Sequence, residues 1–270
     1  MTANESSAPA PRAIEHPELL RYRAEFPVLQ KKTYLNSCSL GALSRRSMQN
    51  LHTFMDTWNE WGAHAWCDIW LGEIAQVRQK FARLIGAQLH EVAIAPNVST
   101  ALSTIATALD YTRRNSIVLA EMDFPTLFYQ WLVKERQGVV CRFVESPDRV
   151  YTPPELFERV VDETTALVAT SRVFYTSGYI QDVRAVADIA HRNGAYLLVD
   201  DYQGSGQIPL DVAARDISFP NLHLCISYLT YLLTSLGCGV SSLVGVAIVW
   251  CHVVFYSHTR QVVPLSAYAR

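Results

Sequence analysis

From residue 217 to residue 259 the chain contains no aspartate, glutamate, lysine or arginine, a run of 43 residues. On hydropathy, the part from Leu243 to Tyr256 invites a membrane reading. However, Pro220, His223, Gly237, Gly239, Gly245 and His252 interrupt the run, and no basic cluster marks one end of it. The uninterrupted stretches fall short of the roughly 18–20 residues that a helical span needs. The run therefore reads as buried strands of a soluble core, and no membrane partner is expected. Lysine is scarce, and none follows Lys134. The six cysteines (Cys38, Cys67, Cys141, Cys225, Cys238 and Cys251) include no C-x-x-C pair. This spacing argues against a zinc site or a disulfide scaffold and fits a reducing, cytoplasmic compartment; no metal is expected. With a net charge of −2 and no polybasic block, there is no electrostatic case for nucleic acid. Residues 1–15, rich in Ala, Pro and Ser, lack the apolar core of a signal peptide and read as a disordered lead-in.

What is present is a β/α alternation. Apolar spacing at Ile74, Val77, Phe81 and Leu84, closed by Gly86, predicts a helix with its stop. Short β-rich runs follow at Val92–Ala95, Ile117–Ala120, Val139–Val144, Ala166–Thr170 and Tyr196–Val199. Between them lie helical patterns at Ser99–Leu109, Leu127–Arg136, Pro154–Val161 and Asp182–Arg192, the last capped by Asn193-Gly194. Strands alternating with helices of this length predict an α/β fold in three layers, a mostly parallel sheet with helices on both faces. Upstream, Leu51, Phe54, Met55, Trp58, Trp61, Trp66 and Trp70 form an apolar helical stripe, which reads as core or subunit interface.

Four strand-end segments carry the chemistry. Pro96-Asn97-Val98-Ser99-Thr100-Ala101 opens a helix after a strand; free N–H groups and hydroxyls there suit a phosphate, although an ordinary N-cap explains the same letters. In Asp123-Phe124-Pro125-Thr126, the aromatic ring can lie on a planar group. Ser171-Arg172-Val173-Phe174-Tyr175-Thr176-Ser177-Gly178 is a third strand end running into a turn. Last comes Tyr196-Leu197-Leu198-Val199-Asp200, followed by Gln203. In open α/β sheets ligands sit at the carboxyl ends of strands, so an acid delivered there can touch a cofactor. A carboxylate held against a pyridine nitrogen keeps that nitrogen protonated, which makes pyridoxal phosphate an electron sink.

Taken together, these segments resemble the class V aminotransferases among the fold-type-I pyridoxal-phosphate enzymes, the group that includes cysteine desulfurases, kynureninases and isopenicillin epimerases. Tyr34-Leu35-Asn36-Ser37 and Ser39-Leu40-Gly41-Ala42 are similar to that family's opening segment. The resemblance implies pyridoxal 5'-phosphate as cofactor. Ser99 and Thr100 would hold its phosphate, Phe124 would stack on its ring, Asp200 would pair with the ring nitrogen and Gln203 with the phenolic oxygen. It also implies a small-molecule amino-acid substrate and a homodimer. Phe-Pro-Thr around Phe124 is closer to kynureninases, and Asp-x-x-Gln is closer to desulfurases and epimerases, so the substrate stays open. Residues 16–70 then read as an N-terminal helical segment, 71–245 as the cofactor-binding large domain and 246–270 as an atypical apolar tail.

One position departs from the family pattern. The family's Schiff-base lysine lies in a segment like Gly-Thr-Leu-Lys-Tyr-Leu-Leu-Gly; here the letters are Ser227-Tyr228-Leu229-Thr230-Tyr231-Leu232-Leu233, with Thr230 at the lysine position. A hydroxyl neither forms the Schiff base nor returns as an amine to move the Cα proton. The small C-terminal domain of the family is expected to be missing as well. Two functions follow: a class V aminotransferase or lyase acting on an amino acid, or a catalytically incompetent, truncated member that binds the cofactor or a partner subunit.

Overall fold

In a computed structural model, the structure describes residues 16–36, 41–95, 97–212, 223–228 and 251–256. Its centre is a seven-stranded sheet of β1 (Val92–Ala95), β2 (Ser116–Ala120), β3 (Val140–Val144), β4 (Thr165–Ser171), β5 (Tyr196–Asp200), β6 (His223–Tyr228) and β7 (Cys251–Tyr256). The strand order is β1-β7-β6-β5-β4-β2-β3. Strands β2 to β6 pair in parallel, whereas β7 is antiparallel to both β6 and β1. Two successive reversals leave β1 running the same way as the parallel set. The carboxyl ends of β1, β2, β4 and β5 therefore open on one edge of the sheet.

The helices are α1 (Arg45–Trp61), α2 (Leu71–Ile85), α3 (Val98–Ala108), α4 (Thr126–Leu132), α5 (Pro154–Glu158) and α6 (Val183–Arg192). Strand alternation divides the core in two. Ile117, Leu119, Leu167, Ala169 and Leu198 face one way and pack under Ala101, Leu102 and Ile105 of α3 and Leu127 and Trp131 of α4. Val118, Ala120, Val168, Leu197 and Val199 face the other way, under Phe157 of α5 and Val186, Ala187 and Ala190 of α6. Strands covered on both faces are apolar at almost every position, which is why these runs read as continuous rather than alternating. The three-layer, mostly parallel fold expected from the sequence is the one observed.

Local signals set the helix boundaries. The side chains of Ser44, Asn97 and Asp182 each accept an N–H from the first turn of α1, α3 and α6. Gly194, at φ +68°, ends α6, and a Cβ there would come within 2.8 Å of the Arg114 guanidinium, which itself donates to the Asn193 carbonyl. The segments at 127–136 and 154–161 are shorter than expected: α4 stops at Leu132 and α5 at Glu158. The stripe at 45–70 is also only partly packed. Phe54, Ala65 and Trp70 form a small buried cluster, while Met55, Trp58, Trp61 and Trp66 stay exposed.

The turn after β5 is held by a buried ion pair. Arg172 donates through Nε to Asp201 Oδ1 (2.5 Å) and through Nη2 to Asp201 Oδ2 (3.0 Å). It also donates to the carbonyls of Pro209 (2.9 Å) and Ile208 (3.0 Å). Ser205 Oγ adds a bond to Asp201 Oδ2 at 2.6 Å. Gly204 lies against this pair, where any Cβ would collide with both Asp201 and Arg172. Side-chain exposure is 6% for Arg172 and 0% for Asp201, so each charge depends on the other for solvation. Arg172→Leu is expected to cost about 3–5 kcal/mol in urea unfolding by leaving a buried charge alone. The double variant Arg172→Leu/Asp201→Leu should recover most of that loss, and equal losses in the two would contradict the account.

Candidate functional site

β5 delivers Asp200 to the open edge of the sheet. Two residues beyond Leu198, Asp200 shares the face that α3 and α4 cover. It is 6% exposed, and its Oδ1 accepts the N–H of Tyr202 at 2.8 Å, which bends the chain away from the strand. Burial is the main reason its carboxyl is pushed up to about 7; the Tyr202 N–H opposes this and the neighbouring Asp201 charge adds to it. The guanidinium of Arg172 is committed to Asp201, and no cationic side chain pairs with Asp200 among the described residues.

A second carboxyl lies beside it. Asp123 follows β2, which ends at Ala120, and its Oδ1 accepts the N–H of Ser171 at 2.7 Å. Ser171 is the register partner of Asp200, and the Arg172 N–H bonds the Asp200 carbonyl on the other side at 2.9 Å. Asp123 thus takes over, with a side chain, the edge of β4 that β2 no longer covers. Its other oxygen, Oδ2, is buried and has no hydrogen-bond partner among the described residues. Burial pushes Asp123 up to about 8, against the Ser171 hydrogen bond and with a further rise from the Asp200 charge.

The remaining expected residues are placed as follows. Phe124, next to Asp123, keeps 49% of its surface exposed, and its ring meets that of Tyr175 edge-on at 5.2 Å. Ser99 and Thr100 are exposed in the first turn of α3, where Asn97 Oδ1 accepts the Thr100 N–H at 2.8 Å. Gln203 is half-buried in the turn after β5. Topology puts all of these at the same edge of the sheet, and α3 lies over the face that Asp200 shares. Thr230 lies outside the described residues, as do Ser37, Ser39, Leu40 and Pro96. In the sequence Asp123, Ser171, Arg172 and Tyr175 stand within the strand-end segments without a role of their own, and Asp201 carries no separate motif. The available signal was the pair of adjacent acids at 200 and 201 facing a lone arginine at 172.

A planar, anionic ring compound with a protonated nitrogen suits this edge. It calls for a buried acid with no cation of its own, an accessible aromatic face and a helix N-terminus for the anion, and Asp200, Phe124 and α3 supply these. Among the described residues, no group of three or more His, Cys, Asp and Glu side chains could hold a metal ion, and no helix is long and apolar enough to cross a membrane.

Similarity to known proteins identifies the family. Residues 60–221 match the family described as Aminotransferase class-V. Over 200 residues the chain is 38% identical to an uncharacterized aminotransferase, YcbU, of Bacillus subtilis, covering 74% of this chain and 52% of that protein. It is 28% identical to a probable cysteine desulfurase of Methanothermobacter thermautotrophicus, covering 73% and 50%. A kynureninase of Bacillus anthracis is 26% identical over 216 residues, covering 76% and 50%. The chain thus spans about half the length of the curated relatives it matches. Among solved structures, a C-DES mutant with glycine covalently linked to the PLP cofactor superposes with a TM-score of 0.71 at 20% identity, covering 87% of this chain and 59% of that one. The cysteine desulfurase CsdA of Escherichia coli gives 0.69 at 17% identity, covering 88% and 57%. The fold, the family match over 60–221 and the 38% identity together make this chain a member of the class V aminotransferase family of pyridoxal-phosphate enzymes.

Proposed function

We propose that the chain is the cofactor-binding part of a pyridoxal-phosphate-dependent aminotransferase or lyase that acts on an amino acid. The observation that carries this reading is Asp200: a buried acid at a strand's carboxyl end, with the neighbouring cation taken by Asp201. When bound, the cofactor supplies an electron sink for bonds broken at an amino acid's Cα. Asp200 would hold a proton at the ring nitrogen. The Tyr202 N–H on Oδ1 and the Arg172–Asp201 clamp fix the direction from which that carboxylate acts. Phe124 would cover one face of the ring and exclude water from it. Gln203 would hydrogen-bond the phenolic oxygen.

The phosphate would sit at the start of α3, on the hydroxyls of Ser99 and Thr100 and the N–H groups of Val98 and Ser99, since Asn97 occupies the Thr100 N–H. The same reading makes the protein a cytoplasmic homodimer. Its substrate class is amino acids, as expected for the family; the mixed marks around Phe124 and Gln203 favour no single member.

Thr230 favours a second reading beside the first, that of a binding protein without turnover. With no lysine after Lys134, nothing in the family's lysine segment can attach the cofactor covalently or move the Cα proton. Both readings share the same contacts, and two measurements separate them. Titration of the purified chain with pyridoxal phosphate, followed by fluorescence, should show saturable binding that Asp200→Ala weakens about 10-fold or more, as expected for loss of a charged hydrogen-bond partner. Absence of binding would contradict both readings. Borohydride treatment should leave the cofactor removable by dialysis from the native chain and fix it in Thr230→Lys. Fixation in the native chain would show that another lysine serves and would restore the catalytic reading.

A further inference from the structure

Asp123 has more structure around it than a strand cap requires. Capping the Ser171 N–H uses one carboxyl oxygen, yet the second is equally buried and unpartnered in a residue only 3% exposed. Buried polar atoms are nearly always paired, so such an atom calls for an explanation. The charges around it supply one. β4 carries no charged side chain, and Arg172, just beyond its end, is engaged by Asp201, Ile208 and Pro209. From β5 come two acids, Asp200 and Asp201, of which only Asp201 has a counter-ion. From the end of β2, Glu121 is exposed and engages the Ser146 N–H. Helices α3 and α4 contain no charged residue, and Tyr129 is their one titratable side chain. Asp123 and Asp200 therefore share a low-dielectric patch, linked through Ser171, and among the described residues no cation pairs with either.

We propose that Asp123 and Asp200 form a buried carboxyl pair that holds a single proton at neutral pH. Asp123 is a positioning residue that keeps this proton, so that Asp200 alone presents negative charge at the strand ends. Two carboxylates in one dry site cannot both ionise cheaply, and the group with the less solvated oxygen stays neutral. Ordinary burial supports the same ordering, since Asp123 is raised further than Asp200. As a neutral acid, Asp123 still accepts from Ser171 through Oδ1 and avoids an unpaired charge at Oδ2. The consequence for a ring nitrogen rests on the cofactor reading above; the proton count of the pair does not.

The test is thermal unfolding of the cofactor-free full chain from pH 5 to pH 9, comparing the native chain with Asp123→Asn. A carboxyl whose folded value is raised binds more protons in the native than in the unfolded state. Its contribution to stability is therefore present at low pH and is lost as pH rises from about 4 through about 8. Asparagine keeps the acceptor for Ser171 and cannot ionise. The melting temperature of Asp123→Asn relative to the native chain should therefore rise between pH 5 and pH 8 and level off by pH 9 several degrees above its value at pH 5. In an Asp200→Asn background the gap should level off at a lower pH and at a smaller size, so that its midpoint moves down, because the repelling charge is gone. A gap that is constant with pH makes Asp123 a plain cap and overturns the proposal; an unmoved midpoint in the Asp200→Asn background breaks the pair.

If Asp123→Asn does not fold, carbon-13 titration of aspartate carboxyls in the native chain gives the same answer. Asp123 should be protonated at pH 7, and finding it ionised at pH 6 would overturn the pair. Because neither readout involves pyridoxal phosphate, failure to bind the cofactor would leave this result standing.

Discussion

Removing a carboxyl group from water is costly unless something else solvates it, and this molecule does so three times at the ends of β2 and β5, the two strands that flank β4. Asp123, Asp200 and Asp201 are all buried, and each is stabilised differently. Asp201 has a bidentate arginine, Asp123 has one backbone N–H and an idle oxygen, and Asp200 has one backbone N–H. This unequal provision organises the edge of the sheet. The arginine fixes the turn that follows β5, and in doing so is withheld from Asp200. A carboxylate left without a cation in a protein interior is poised to accept a protonated partner from outside the chain.

The sheet makes this arrangement available. Parallel strands bury both faces, so polar side chains can appear only where the strands end. β2, β4 and β5 end within a few residues of one another in register. Ser171 connects them, giving its N–H to Asp123 while lying opposite Asp200. The antiparallel β7 does not disturb this edge, because β1 on its far side runs with the parallel set and brings α3 to the same end. Asp200, Phe124 and the first turn of α3 thus come to one side of the molecule from segments about a hundred residues apart in sequence.

Much of this was legible in the sequence, for physical reasons. β1 to β5 are short apolar runs bounded by polar turns, and they were located to within a residue or so. Asn97, Asp182 and Gly194 punctuate their helices in the ordinary way. The shorter α4 and α5 were not legible, since Val133 continues the apolar letters past Leu132 although it is exposed, and Val160 and Val161 continue them past Glu158 into a turn that buries Val161. The order of β6 and β7, with the later strand inserted beside β1, depends on contacts between distant segments and leaves no local pattern. The tryptophan stripe was legible as an apolar helix face, of which Phe54 and Trp70 are buried and Trp58, Trp61 and Trp66 are exposed; periodicity alone does not say what covers such a face. Of the site, the acid at the strand end could be read from Asp200. The division of labour among three acids could not, because it depends on which one Arg172 reaches.

The central claim is that the carboxylate of Asp200 meets a protonated ring nitrogen. Nitrogen-15 spectroscopy of ring-labelled pyridoxal phosphate bound to the chain tests it most directly. The account predicts a ring nitrogen that stays protonated at pH 8 in the native chain and loses its proton in Asp200→Asn. An unprotonated nitrogen in the native complex, or one indifferent to that substitution, would contradict it.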